Sequence, residues 1–112
     1  MRLPNSDRAF IDPVKLHGYL LSASHPLGRF KGRFFAALGF AADRWVELDA
    51  ALRAQHLGRD AEAGPVEPYG QFFTIRAMLK GPKGAATVVS VWLVRRDEDH
   101  PRFVTAYPGD AK

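Results

Sequence analysis

Three helices followed by a small antiparallel sheet of at least three strands, an α+β arrangement, is the architecture this chain of 112 residues calls for. Two features carry that reading. Large apolar residues recur at helical spacing as far as about residue 58, and from about residue 70 they alternate in the manner of strands. Between the two regimes lies GRDAEAGPVEPYG, residues 58–70, rich in Gly, Pro and charge, which reads as an exposed connecting loop. With 46% hydrophobic residues, the whole of 1–112 is expected to form one domain.

The first helix is expected to open with Asp12 as N-cap and Pro13 at the first helical position. It carries Val14, Leu16, Tyr19, Leu20 and Leu21 on its apolar side and ends before SASHP. A second runs from about Gly28 to Leu38, with Gly39 as left-handed terminator and Phe40 packing back on the last turn. Asp43 starts a third, which turns Trp45, Leu48 and Leu52 inward and ends near Gly58. In the second half, QFFTIRAML places Phe73, Ile75, Ala77 and Leu79 on one face and Phe72, Thr74, Arg76 and Met78 on the other. KGPKG is its turn, and ATVVSVWLV, apolar on both faces, is a central strand pairing with it. An acidic turn, DEDHP, then leads to a last strand, RFVTAYP.

Several classes of function are set aside by what the chain lacks. Cysteine is absent, which removes disulfide frameworks and thiolate metal sites and makes a cytoplasmic location the default. The longest uncharged apolar run, AATVVSVWLV, is too short to cross a bilayer, so no membrane partner is expected. No P-loop, dinucleotide-binding glycine pattern, zinc-protease HExxH or EF-hand spacing occurs, and no cofactor is expected. His17, His25, His56 and His100 fall on separate elements and define no metal site.

Charge points elsewhere. The net charge is +4, and between Pro13 and Ala42 stand Lys15, Arg29, Lys31 and Arg33 with no acidic residue. Such a patch attracts polyanions or an acidic protein. On a helical wheel at about 100° per residue, Leu27, Phe30, Phe34, Phe35 and Leu38 share one sector, and Arg29 and Arg33 point away from it. Lys31 falls inside the apolar sector. An ammonium there must snorkel to the rim, find a carboxylate, or face a pocket that receives an anion. His25, held extended by Pro26, precedes this helix, and with Lys31 near its N-terminal end makes a candidate phosphate subsite.

The sheet supplies a second half. If Phe73 and Ile75 face the helices, Thr74 and Arg76 face away, and Thr105 and Tyr107 of the last strand join them, with Trp92 or Ser90 between. Unstacked RNA bases lie on rings while Arg, Thr and Tyr meet phosphate and 2′-OH groups. The same residue types also suit any solvent-facing strand. Arg29, Arg33, Trp92 and Arg102 are the further candidate RNA contacts.

The segments LPNSDRAFIDPVKLHGYLLSASHPLGRFKGRFFAALGF, YGQFFTIRAMLKGPKG, VWLV and PRFVTAYP resemble a family of small bacterial proteins known only as a domain of unknown function. Its members stand alone, beside a companion gene, or at the end of polymorphic-toxin and phage-related proteins. More loosely, the helices-then-sheet order, the His-Pro approach to a Lys-bearing helix and the terminal Thr-x-Tyr strand are similar to the barnase, EndoU, colicin and RelE group of toxin ribonucleases. That similarity implies metal-independent cleavage of RNA. It matches His25 and Lys31 to a basic helix-entry motif and Thr105 and Tyr107 to a last-strand polar pair; for such a reaction His25 is expected as acid or base, Lys31 and Arg76 as charge stabilisers, and Thr105 and Tyr107 as orienting groups, with Tyr107 a candidate proton donor. The sheet offers neither a second histidine nor a glutamate, so acid and base stay unassigned. A small acidic antitoxin or immunity-type protein is the partner such an enzyme implies. The alternative is a non-catalytic module that docks a companion protein through its basic face.

Overall fold

The computed structural model describes residues 1–22 and 29–109, the side chains of Arg29 and Phe30 excepted. Asp12 caps the first helix as expected: its Oδ1 accepts from the Val14 N–H at 3.0 Å, and Pro13 opens α1, Pro13–Lys15. The chain does not continue as an α-helix. Residues Leu16–Leu20 wind as a π-turn, closed by the Leu21 N–H on the Leu16 carbonyl at 2.8 Å. Leu16 and Leu20 bury fully, whereas Val14, expected on the apolar side, is exposed.

Helix α2, Arg29–Ala37, ends in a Schellman motif built on Gly39 at φ 98. The Gly39 N–H donates to the Ala36 carbonyl at 2.9 Å and the Phe40 N–H to the Phe35 carbonyl at 3.1 Å, with Phe40 buried beneath the last turn. Helix α3, Trp45–Gln55, buries Leu48 and Leu52. It is reached through a 3-10 turn, Ala42–Arg44, so Asp43 does not serve as its cap.

Four strands follow: β1, Glu62–Glu67; β2, Gly70–Gly81; β3, Gly84–Arg95; and β4, Pro101–Pro108. They pair antiparallel in the order β1-β2-β3-β4, so β3 is an inner strand, in keeping with its two apolar faces. The chain is therefore α+β. The stretch read as an exposed loop, 58–70, instead contributes the edge strand β1. Its pairing with β2 is a main-chain interaction that asks nothing of the side chains, and Pro65 is tolerated because it stands on an edge, where the register breaks between Ala63 and Val66.

One face of the sheet carries the core: Phe73, Ile75 and Leu79 of β2, Val88 and Trp92 of β3, and Phe103 and Ala106 of β4 meet Leu16, Leu20, Phe35, Leu48 and Leu52. Inside it lies a closed polar chain. Ser90 Oγ is 2.8 Å from His56 Nδ1, Trp92 Nε1 donates to the same oxygen at 2.9 Å, and His56 Nε2 is 3.2 Å from the Ala77 carbonyl. A neutral imidazole protonated on Nε2 satisfies every member: Nδ1 accepts from Ser90 and Nε2–H donates to Ala77. Ser90 and Trp92 thus point inward. Between Arg76 and Tyr107 stands Val89, and between Thr74 and Thr105 stands Val91.

Two main-chain contacts tie the first half of the chain to the sheet. The Lys83 N–H, at the tip of the β2–β3 hairpin, donates to the Leu38 carbonyl at 2.9 Å. On the far side Phe10 pairs alongside β4, its N–H on the Pro101 carbonyl and its carbonyl on the Phe103 N–H, both at 2.9 Å.

Candidate functional site

The half-buried Lys31 of α2 does not reach solvent alone. Its ammonium donates to Tyr19 Oη and to Thr105 Oγ1, each at 3.0 Å, and lies 5.3 Å from the centre of the Tyr19 ring. Three elements meet here. The π-turn presents Tyr19, α2 presents Lys31, and β4 presents Thr105 just after a register break between Val91 and Trp92. Neither partner is a carboxylate, so the ammonium keeps its charge uncancelled by direct pairing. It acts on Tyr19 in turn: the hydrogen bond from Lys31 is the main cause holding the phenol below its ordinary value, against the opposing effect of burial, and the positive charge of Lys15 adds to it.

A cavity of about 440 Å³ opens beside this cluster, walled by Asp12, Val14, Lys15, Tyr19, Val104 and Thr105. Asp12 comes to its rim as the helix cap and Lys15 as the last residue of α1. The exposure of Val14, against the amphipathic pattern, follows from its place on this wall.

The other expected site residues divide. Thr105 contacts Lys31 directly. Tyr107, two residues along β4 and 39% exposed, shares the face of Thr105, about 7 Å further along the strand. Arg76, exposed, lies in the same cross-strand row as Tyr107, two strands away. His25 lies outside the described residues, as does the side chain of Arg29, and Arg33 is exposed. Trp92 is not available to a ligand. It is 0% exposed, stands edge-on to Phe103 at 5.3 Å and belongs to the core, because its strand position points to the helices. Arg102 is largely engaged: Nε and Nη2 hold Glu98 at 2.6 and 2.5 Å, and its guanidinium stacks 5.1 Å from the Phe10 ring. That pairing draws the Glu98 carboxyl below its ordinary value.

Tyr19 is the residue that reasoning from sequence missed as a site residue. In an amphipathic helix it reads as core, and only the placement of a lysine in the apolar sector of the next helix hinted that a polar partner was needed. Among the described residues no group of three or more His, Cys, Asp or Glu side chains is gathered for a metal ion, and no helix is long and apolar enough to cross a membrane.

Fold and site together define an α+β domain with a cationic, hydroxyl-lined cleft at one edge of its sheet. The chain belongs to the family described as a domain of unknown function, DUF6883, which it matches over residues 2–110. No curated protein and no solved structure matches it.

Proposed function

We propose that this protein is an endoribonuclease that needs no metal ion, cutting RNA by attack of a 2′-oxygen on the adjacent phosphorus. The observation that carries the reading is the Lys31 ammonium, half-buried at the cleft and held by two hydroxyls, Tyr19 and Thr105, rather than by a carboxylate. Those bonds use two of its three donors, and the third is proposed to meet a phosphate oxygen that enters past the Tyr19 and Thr105 hydroxyls, Lys31 itself standing behind the cleft wall. Lys31, with Lys15 on the cleft wall, then stabilises the charge that builds up on the phosphorane.

Tyr19 is the base this geometry offers. Its phenolate accepts the 2′-OH proton as the new O–P bond forms, and breaking the bond to the 5′-oxygen leaves a 2′,3′-cyclic phosphate and a 5′-hydroxyl once an acid supplies that oxygen's proton. Tyr107 and His25 are the proposed sources of that proton, His25 on the sequence alone. Arg76 and the exposed Arg33 are proposed to steer the strand. The similarity to toxin ribonucleases favours the same reading, and an acidic protein covering this cationic edge is the inhibitor it implies.

The test is incubation of purified protein with mixed RNA in EDTA, with product ends identified. Cyclic phosphate ends that fall about a hundredfold or more in Lys31→Ala and Tyr19→Phe are expected. Intact RNA across the whole pH range would overturn the proposal and leave a non-catalytic docking role for the basic face.

A further inference from the structure

A second cavity, of about 270 Å³, adjoins the first and shares three wall residues with it, Asp12, Lys15 and Val104. The two therefore adjoin as a groove along β4 about Asp12, Lys15 and Val104, with different chemistry at each end. At one end are Lys15 and the hydroxyl residues Tyr19 and Thr105, with the Lys31 ammonium bonded to both behind that wall. At the other, the cross-strand neighbours Phe72 and Leu93 make an apolar floor on the face turned away from the core. Arg95, exposed, borders that floor from the same face of β3.

Charge decides what fits. Along this face the strands present Lys80 and Arg95 beside Arg102, which Glu98 holds, and Lys15 and Asp12 face the groove from α1 and its cap, so its cations outnumber its acidic groups. An apolar floor with cations at both ends suits a flat ring carrying phosphate on either side. A run of acidic side chains would satisfy the cations but brings no flat group to Phe72 and Leu93, whereas every nucleotide joins a ring and a phosphate in one unit.

We infer that the Phe72–Leu93 pocket is a nucleobase subsite, taking the base next to the phosphate held at Lys31, and that the ligand is single-stranded RNA. This rests on the phosphate placement of the proposed ribonuclease. A base lying in this pocket is withdrawn from any stack, so a duplex has to be opened before it can enter.

Binding is measured without cleavage, by fluorescence anisotropy on a 2′-fluoro RNA hexamer that cannot be cut by 2′-oxygen attack. The hexamer is compared with the same strand annealed to its complement and with poly-glutamate. The single strand is expected to bind at least tenfold tighter than either competitor. Phe72→Ala should weaken it by about tenfold, the loss of one stacked base. Phe72→Leu keeps the apolar volume but not the flat face, and should weaken binding in the same direction should Phe72→Ala fail to fold. Equal binding of strand and duplex, equal binding of poly-glutamate, or a folded Phe72 variant with unchanged affinity would overturn the inference. Tight single-strand binding by a protein that leaves natural RNA intact would instead sink the ribonuclease and spare the base subsite.

Discussion

Lys31 Nζ and Tyr19 Oη stand 3.0 Å apart, joining a helix to the π-turn before it through a charge with no carboxylate bonded to it. The consequence is electrostatic. The neighbouring ammonium favours the phenolate and holds the Tyr19 phenol below its ordinary value.

Alkaline titration followed by near-ultraviolet absorbance should therefore show one of the three tyrosines ionising before the others. In Lys31→Met that early step should move up towards the ordinary tyrosine value of about 10. An early step that persists in the variant would mean Lys31 is not its cause.

Ser90 is the joint of the buried polar chain, taking the Trp92 N–H and meeting His56 Nδ1. Ser90→Ala strips a partner from both at once in a site with no exposure. Unfolding in urea, read by far-ultraviolet circular dichroism, should show a loss of about 2–4 kcal/mol, roughly one to three for each abandoned group with some relaxation.

Burial is the main cause pushing the His56 imidazole below its ordinary value, and the nearby charge of Arg59 acts in the same direction. Between its folded value and the ordinary value of about 6.5, the unfolded chain binds a proton that the folded chain refuses, so stability rises with pH in that window. It is fully present above about 6.5 and falls as the pH drops through and below it, by at most about 1.4 kcal/mol per pH unit from this group. Urea midpoints across this range should show the slope, and His56→Gln should flatten it.

How much of this was legible in the sequence depended on whether side chains or main chain set the outcome. The Gly39–Phe40 terminator and the inward face of β2 follow from residue type and period, and both stand where expected. β1 was hidden because edge pairing in a strand containing Pro65 leaves its side chains exposed, so no alternation marks it. Tyr19 was hidden for a different reason. A wheel turning 100° per residue fails once Leu16–Leu20 closes as a wider π-turn, and the ring packs at the margin of the core with its hydroxyl delivered to a lysine. Lys31 itself was legible as a cation in an apolar sector, but which groups would receive it was a matter of tertiary arrangement.

At the hairpin tip, a methyl group on Gly81 would run into the Leu38 carbonyl, and it would stand 2.9 Å from Phe40 Cε2. Both neighbours belong to the Schellman end of α2 and cannot swing aside cheaply. Gly81→Ala should cost about 1–3 kcal/mol in a urea titration, as overpacking does. A variant as stable as the wild type would show the hairpin and helix end to be less firmly set against each other.

The Lys83–Leu38 hydrogen bond gives the hairpin a further part to play. α2 is a short rod, gripped at its far end by a two-residue turn, with Lys31 about 10 Å up the rod from Leu38. The length of that turn works as a ruler for the ammonium. One residue inserted between Gly81 and Gly84 touches nothing in the cleft, yet it would tilt the rod and draw Lys31 off its two hydroxyls.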